Sequence, residues 1–299
     1  MDGILYGELA ALVCAIFWTF TALSFEFAGK RVGSLSVNFI RLLFGLVFLS
    51  LFNLVTRGFF LPLDAGRHQW IWLSVSGLIG FSLGDLFLFQ AFVVVGARIA
   101  MLVMASVPLL TAILGRLFLQ ESLLPIDWLA MALTISGITL VVLKRNPDHQ
   151  QNIFVHPVKG LLFAFGGALG QAAGLILSKI GMQSYNAFAA TQIRVLAGII
   201  GFIPIFFLLR RWGKLRVAIN DRRAMTTIII GSFFGPFLGV AFSLLAVQHA
   251  PAGIASTIMA IVPILIIPPA VFIFKEKLNI TEIIGAIIAV CGVTLLFIF

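Results

Sequence analysis

Two apolar segments of the chain each carry one charged side chain at a depth where charges are costly in a membrane. Asp85 lies in the apolar run 69–93, and Arg41 lies in the run 34–56. Each residue is about eight positions, or ~12 Å, from the end of its own helix at the same face of the membrane. An ion pair between them is therefore geometrically allowed, and it would offset a cost of at least ~2.5 kcal/mol for a buried charge. The pair is either a fixed salt bridge between two helices or an ion or substrate contact in a polar cavity.

Trp18 and Gln171 are the next candidates, since both are expected near mid-membrane and facing the protein interior. An indole seeks a partner for its N–H, and an amide in lipid is costly. Trp18 could stack on an aromatic or apolar substrate, and Gln171 could hydrogen-bond its polar end. The alternatives are core packing for Trp18 and an interhelical hydrogen bond, worth about 0.6 kcal/mol, for Gln171. Four further candidates for the substrate site are Gln90, Met101, Ser243 and Ser256.

The sequence offers no residue pattern that predicts catalysis or metal binding. Its four histidines fall in loops or at helix ends, without the spacing of a ligand set. No nucleophile elbow, phosphate loop or HExxH motif occurs. Cys14 and Cys291 lie in different apolar runs and are interpreted as packing residues. We therefore predict no enzyme activity, no catalytic residue, no metal and no cofactor.

The composition predicts an α-helical membrane protein. Of 299 residues, 61% are hydrophobic and only 10% are charged, which is more apolar than a soluble domain requires. The net charge of +9 arises mainly from short loops between apolar runs, where basic residues set membrane orientation. We predict the lipid bilayer and a small-molecule substrate as partners, and no nucleic acid.

Ten apolar runs of membrane-spanning length position the candidate residues. The longest polar stretch, KRNPDHQQNIFVHPVKG, follows the fifth run and separates two five-helix segments, 1–146 and 157–299. The predicted spans are 4–26, 34–56, 69–93, 97–119, 126–144, 158–180, 187–209, 225–247, 253–275 and 279–298.

The two segments repeat one another. The texts VPLLTAILGRLFLQESL and VPILIIPPAVFIFKEKL begin 155 residues apart, and near the front of each half Arg41 and Arg194 are 153 apart. Because five is an odd number of spans, the second half must enter the membrane in the opposite orientation. This predicts two inverted five-helix repeats with a pseudo-two-fold axis in the membrane plane. The paired positions include Pro108 with Pro263, Glu121 with Glu276, and Gly137 with Gly292.

The repeat assigns structural or coupling roles to its proline and glutamate pairs. Pro108 and Pro263 are predicted to kink helices 4 and 9 and to free backbone carbonyls that can line a cavity. Glu121 and Glu276 lie where the same helices end, and they are interpreted as capping and ion-pairing residues.

The two repeated arginines, Arg41 and Arg194, differ in their predicted partners. Val240 stands where the second half would match Asp85, so Arg194 lacks the corresponding carboxylate. Its candidate partner is Glu8, near the start of helix 1. The asymmetry favours a specialised role for Asp85, because a purely structural pair could have persisted in both halves.

Several motifs stand along this duplicated chain. They are AIFWTFTALSFEF in helix 1, NFIRLLFG and TQIRVLAG in helices 2 and 7, the Pro-to-Glu segments of helices 4 and 9, and the Gly-rich ends of helices 5 and 10. Together they resemble the ten-helix EamA-type members of the drug/metabolite transporter superfamily over nearly the whole chain. The resemblance implies a substrate-exporting carrier with a central cavity, often for amino acids or related metabolites. Aromatic amino-acid exporters belong to this group.

Two features depart from that family. Lys and Arg number fourteen on the side of the odd-numbered loops and four on the other, so both termini are predicted to be non-cytoplasmic. Ten-helix members are usually drawn with cytoplasmic termini. Small four-helix members carry a proton-coupling Glu in helix 1, but the matching positions here hold Trp18 and Gln171. Neither can ionise, which argues against that mechanism.

We therefore predict an integral protein of the bacterial inner (plasma) membrane, monomeric or homodimeric, that exports small amphipathic metabolites and above all amino acids. Alternating access would move the substrate through a central cavity formed by helices 1, 3 and 4 and their partners 6, 8 and 9. Few charges point inward, which disfavours polyanionic cargo. Two alternatives stay open: an uptake permease of the same fold, and a non-transport membrane scaffold.

Overall fold

The described part of the chain is helical throughout. A computed structural model describes residues 2–144, 158–210, 212–272 and 280–298, and these ranges contain no strand. Two π-helical segments, Leu78–Gly84 and Phe233–Gly239, interrupt the α-helices. The α-helices are α1 (Asp2–Val32), α2 (Ser34–Arg57), α3 (Arg67–Gly77), α4 (Asp85–Met104), α5 (Val107–Leu119), α6 (Pro125–Lys144), α7 (Val158–Met182), α8 (Ala187–Leu209), α9 (Trp212–Asn220), α10 (Arg222–Ser232), α11 (Val240–His249), α12 (Ala252–Met259), α13 (Val262–Leu265), α14 (Ile267–Phe272) and α15 (Ile280–Ile298).

Single helices or runs of consecutive helices are long enough to cross a bilayer. In the described ranges nine segments have the length and hydropathy of a membrane span, and α5 is a shorter apolar helix. Large apolar side chains such as Val55 and Leu208 are mostly exposed, as contact with lipid tails requires. These segments correspond to the predicted spans and confirm an all-α membrane protein.

A contact between the two halves has a counterpart between the residues that the repeat relates to it, as an inverted duplication demands. On α6, Gly137 packs against Gly285 of α15, and the repeat images of these two residues, Gly292 and Ala130, also touch. In the same way Gly80 lies against Gly174, while its image Gly235 lies against Thr21. The architecture is that of two five-span repeats related by a pseudo-two-fold axis.

The predicted boundary between spans 3 and 4 is wrong. A loop was predicted at 94–96, but α4 continues to Met104 and the interruption falls at 105–106. The second half does break at the equivalent place, where Ala250 is extended (φ −121°, ψ 160°) before Pro251. Proline disfavours helical backbone in the preceding residue. Gly96 stands at the place of Pro251 in the first half and imposes no such break.

Prolines mark the helix breaks in spans 4 and 9. Pro108 lies in the first turn of α5, directly after the interruption at 105–106. In the second half Pro263 lies in the first turn of α13, and Pro268–Pro269 lie in the first turn of α14. Since proline has no N–H and fits the first helical turn, each break precedes a proline.

The two π segments occupy equivalent places in the two halves. Leu78 and Gly84 are each 155 residues before Phe233 and Gly239, the matching ends of the second segment. Pro236 lies inside the second segment, whereas Phe81 stands at its place in the first. Proline alone therefore does not explain the π geometry. Each segment ends directly before the paired positions Asp85 and Val240.

The helix ends define two faces of the molecule. We call the face where α1 begins and α15 ends the terminal face, and the opposite one, with Arg31, Asp221 and the short helix α9, the loop face. Arg31 Nη2 lies 2.9 Å from Asp221 Oδ2, and the Asp221 carboxylate also accepts the Ala224 N–H. This backbone hydrogen bond, aided by Arg31, lowers the pKa of Asp221. Helix α9 was not predicted from the sequence, which was interpreted there as a polar loop.

Gly137→Ala is expected to destabilise the protein, because an added Cβ would overlap the backbone of Gly285 and Ala289. Overpacking of this kind costs roughly 1–3 kcal/mol. The matched control is Gly29→Ala in α1, where nothing lies within 4 Å of the added atom. Thermal unfolding in detergent should show a lower midpoint for Gly137→Ala and an unchanged or higher one for Gly29→Ala. Equal midpoints would contradict the close α6–α15 contact.

Candidate functional site

Asp85 is the centre of a polar cluster that joins three helices from both halves. Its Oδ2 accepts a hydrogen bond from Arg41 Nη2 on α2, and its Oδ1 accepts one from Gln171 Nε2 on α7 at 2.9 Å. Asp85 is only 5% exposed, while the Arg41 side chain keeps 20% of its surface accessible. We refer to Asp85, Arg41 and Gln171 as the Asp85 cluster.

A glycine contact next to the first π segment places Asp85 and Gln171 face to face. Asp85 is the residue at which the helix returns from π to α geometry. Gly84, immediately before it, lies against Gly170, where an added Cβ would come 2.8 Å from the Gly84 Cα. The backbones of the two helices therefore nearly touch at this point. Gln171, the residue after Gly170, is brought within hydrogen-bonding distance of the carboxylate.

Two neighbours of the cluster were not predicted from the sequence. Asn38 is 1% exposed and its amide lies close enough to the Asp85 carboxylate to stabilise it, although neither amide atom meets the geometry of a hydrogen bond with any described residue. The Phe25 ring centroid lies 5.6 Å from Arg41 Cζ. Asn38 precedes Arg41 by three residues and so shares a helix face with it, a spacing that could have identified it. The cluster thus has hydrogen-bonding capacity that a polar ligand can use.

Trp18 occupies the first-half counterpart of the Gln171 position. Its half-buried indole lies against Gly239, where an added Cβ would come 2.6 Å from Nε1. Gly239 is the repeat partner of Gly84, so Trp18 and Gln171 contact nearly equivalent points. Within the described residues no hydrogen bond joins Trp18 to the Asp85 cluster.

None of the remaining substrate-site candidates contacts the Asp85 cluster through a described hydrogen bond. Ser243 and Ser256 are buried, and each donates its hydroxyl proton to the carbonyl three residues earlier in its own helix. Gln90 is exposed on α4. Met101 also lies on α4, and its side chain falls outside the described part of the structure.

The structure does not form the predicted pair of Arg194 with Glu8. The Arg194 guanidinium extends from α8 toward the first π segment, where Cζ lies 4.9 Å from the Phe81 ring centroid. Glu8 is buried on α1, near the carboxylate of Asp127. Arg194 and Glu8 therefore contact different residues and do not form an ion pair.

Glu121 belongs to a network of polar contacts that joins three chain segments on the terminal face. Its Oε1 lies 2.6 Å from Lys179 Nζ at the end of α7, and its Oε2 accepts the Ala252 N–H at 2.8 Å. Lys179 also donates to the Ala250 carbonyl at 2.7 Å. The ends of α5 and α7 and the turn between α11 and α12 are therefore joined. Glu276, the repeat partner of Glu121, lies outside the described residues.

A cavity of about 450 Å³ lies beside this network on the terminal face. Gln248 donates to the carbonyls of Gln183 and Tyr185, at 2.7 and 3.2 Å. Tyr185 donates its hydroxyl proton to Asp64 at 3.0 Å, and burial raises the pKa of that hydroxyl. The cavity is lined by Phe118, Leu119, Lys179, Ile180, Gln183 and Gln248.

The Asp85 cluster can bind charged and polar groups. It offers one negative charge, one positive charge and amide groups inside a membrane bundle, with no hydroxyl or thiol nucleophile among its members. In the part of the chain that the structure describes, no group of three or more His, Cys, Asp or Glu could hold a metal ion. Ionisable groups buried in this way mark substrate or ion pathways in membrane proteins.

Fold and cluster together define a class: a helical membrane protein of two inverted repeats with a polar site between them, as in secondary carriers. The model of the EamA-like transporter family matches residues 5–143 and again residues 158–298. The chain belongs to the EamA-like transporter family, within the drug/metabolite transporter superfamily. It is thus a membrane transporter of the drug/metabolite type.

Solved structures share this fold. Among 27 matching chains, one described as "Crystal structure of protein" aligns with a TM-score of 0.77 and 14% identity. The alignment covers 97% of this chain and 94% of that one. At this identity the similarity concerns the fold alone. A comparison with curated proteins finds no match.

Asp85→Ala is expected to lower the free energy of unfolding by roughly 3 kcal/mol, because it leaves the Arg41 cation without its buried partner. The double variant Arg41→Ala/Asp85→Ala should be less destabilised, since it removes the unpaired charge as well. Arg31→Ala, which breaks the exposed pair with Asp221, is the control and should have a small effect. Thermal unfolding in detergent measures all three. A midpoint for Asp85→Ala no lower than that of Arg31→Ala would contradict a structural pair.

Proposed function

We propose that this transporter exports small amphipathic metabolites, above all amino acids and including aromatic ones. The observation that carries the proposal is the Asp85 carboxylate, held in the bundle interior by Arg41 and Gln171 from opposite halves. Alternating access through a central cavity between helices 1, 3 and 4 and helices 6, 8 and 9 would move the substrate. The family assignment supports transport, and the sequence resemblance supports amino acids as the substrate class.

The chemistry of the site suits a cationic amine joined to an apolar body. Asp85 can accept the N–H groups of a substrate ammonium, and the unpaired Asn38 amide can add a further hydrogen bond. Arg41 stabilises the charged form of Asp85 while the substrate is absent. Trp18 offers an aromatic surface on the other half for an apolar or aromatic side chain.

Membrane placement and partners follow from the same proposal. We place the protein in a bacterial inner membrane with both termini non-cytoplasmic, as a monomer or homodimer. The division into segments 1–146 and 157–299 belongs to this proposal, and lipid and a small molecule are its partners. In this orientation the face closed by Glu121 and Lys179 is the outer one.

A flux measurement tests the proposal directly. Proteoliposomes are preloaded with a labelled amino-acid panel, and release is followed for the wild type, Asp85→Asn and Trp18→Ala, with and without a pH gradient. Selective release that falls at least tenfold in Asp85→Asn is expected. The control is Arg31→Gln on the loop face, which should release substrate like the wild type.

The outcomes separate the competing functions. Accumulation of the amino acid against an imposed outward amino-acid gradient would favour the uptake permease, which has the same fold but the opposite direction of transport. If neither Asp85→Asn nor Trp18→Ala changes the flux seen in the wild type, the central cluster is not the substrate site. No flux for any solute would refute amino-acid export and move the search for a substrate to lipids and organic cations.

The orientation has its own test. A C-terminal alkaline phosphatase fusion in a bacterial host is expected to be active, since the phosphatase folds only outside the cytoplasm. A C-terminal green fluorescent protein fusion, as the complementary reporter, should be dark. The reverse pattern would place the termini in the cytoplasm and overturn the assignment based on the Lys and Arg count.

A further inference from the structure

Arg194 is a buried cation without a counter-charge. The residue is 5% exposed, and its Nε is buried without a hydrogen-bond partner. Among the described residues no carboxylate lies within ion-pair distance of its guanidinium, and no carbonyl or hydroxyl accepts from it. Its described side-chain contacts are the Phe81 ring, 4.9 Å from Cζ, and the backbone at Gly80. An aromatic face is a weaker partner than a carboxylate for a desolvated guanidinium.

A neighbour on the same helix shows that α8 can satisfy buried polar groups. Gln192, two residues earlier and 0% exposed, accepts from Asn53 at 2.8 Å and donates to Ser50 Oγ and to the Phe60 carbonyl at 2.8 Å each. Every polar atom of this amide is used. The Oδ1 of its partner Asn53 is nonetheless buried without a hydrogen-bond partner among the described residues, so what distinguishes Arg194 is an unpaired charge and not merely an unsatisfied polar atom.

The repeat identifies what Arg194 lacks. Its first-half counterpart Arg41 is paired with Asp85, but the second half has Val240 at the Asp85 position. The duplication thus retains two arginines and one carboxylate in these paired positions. Because Arg41 and Asp85 neutralise one another, the excess positive charge of these three residues lies at Arg194, where an external carboxylate could pair with it.

Glycines lie beside Arg194 on the helix that carries the first π segment. A Cβ on Gly80 would lie 3.5 Å from Arg194 Nη2, which is ordinary van der Waals contact. A Cβ on Gly77 would overlap the Arg194 carbonyl, so the absence of a side chain there lets α8 approach α3. The planar fork of an arginine is suited to two parallel hydrogen bonds from a carboxylate.

We infer that Arg194 binds the carboxylate of the transported metabolite, as a subsite separate from the Asp85 cluster. The inference rests on the proposed function and deepens it, because it makes a monocarboxylate the required feature of the substrate. An amino acid would then place its carboxylate on Arg194 and its ammonium toward Asp85. Substrates without a carboxylate would leave the Arg194 charge unbalanced.

Ligand-dependent thermal stability of the purified protein tests the inference without transport. Three probes share a phenyl group: L-phenylalanine carries both charges, 3-phenylpropanoate carries the carboxylate alone, and 2-phenylethylamine carries the ammonium alone. Acetate serves as a fourth, minimal carboxylate. The variants are Arg194→Gln, which removes the charge, and Arg194→Lys, which keeps it; Arg31→Gln is the control. Elution as a single species from size-exclusion chromatography establishes that each variant is folded.

The expected result is saturable stabilisation of the wild type by phenylalanine and 3-phenylpropanoate. Apparent affinity for both should fall at least tenfold in Arg194→Gln, with partial retention in Arg194→Lys and no change in Arg31→Gln. The response to 2-phenylethylamine should be the same in the wild type and Arg194→Gln. If Arg194→Gln does not fold, Arg194→Lys provides the test, because it keeps the charge but loses the bidentate fork, and carboxylate affinity should still fall.

Three results would overturn the inference. They are no saturable stabilisation of the wild type by any of the three carboxylates, an equal carboxylate affinity in Arg194→Gln, or an equal loss of 2-phenylethylamine binding in that variant. Failure here is distinguishable from failure of the export proposal. Flux that depends on Asp85 but not on Arg194 would leave export standing, whereas carboxylate binding through Arg194 without amino-acid flux would leave only the subsite.

Discussion

A carboxylate held inside a bilayer constrains the structure around it. The Asp85 carboxylate accepts a hydrogen bond at each of its oxygens, and the donors come from α2 in one half and α7 in the other. Gln171 reaches it because α7 approaches the helix of Asp85 at backbone distance, which the glycines Gly84 and Gly170 permit. The polar cluster, the glycine contact and the joining of the two halves are therefore parts of one arrangement. A Cβ at Gly170 would come 2.8 Å from the Gly84 Cα, so a side chain there would push the two helices apart at the point where Gln171 reaches the carboxylate.

Duplication supplied the scaffold, and divergence supplied the chemistry. Small residues that permit close packing recur in both halves, as in the exchanged contacts of Gly137 with Gly285 and of Gly292 with Ala130. The arginine recurs as Arg41 and Arg194, but the carboxylate does not, since Val240 matches Asp85. Two repeats of similar architecture therefore surround a polar site whose residues differ between the halves. This is physically reasonable, because a substrate with two different ends cannot be bound equally well by two identical half-sites.

Much of the fold was predictable from the sequence, because membrane spans and a duplication are encoded in long-range patterns. The ten-span order and the pairing of Arg41 with Asp85 follow from run length and from depth in the bilayer. The break between spans 3 and 4 was mislocated, because the prediction relied on a glycine-containing stretch where only a proline would have forced a break. The π segments and the Asn38 contact depend on backbone register and three-dimensional packing, which a single sequence does not specify. The direction of the Arg194 side chain was missed for the same reason.

On the terminal face three chain segments are joined by groups that share partners. Lys179 contacts both Glu121 and the Ala250 carbonyl, and Glu121 also accepts the Ala252 N–H. Moving any one of the three connected chain segments breaks contacts that belong to the other two. The ends of α5 and α7 and the turn between α11 and α12 are therefore coupled mechanically, and a displacement of one of them is transmitted to the others.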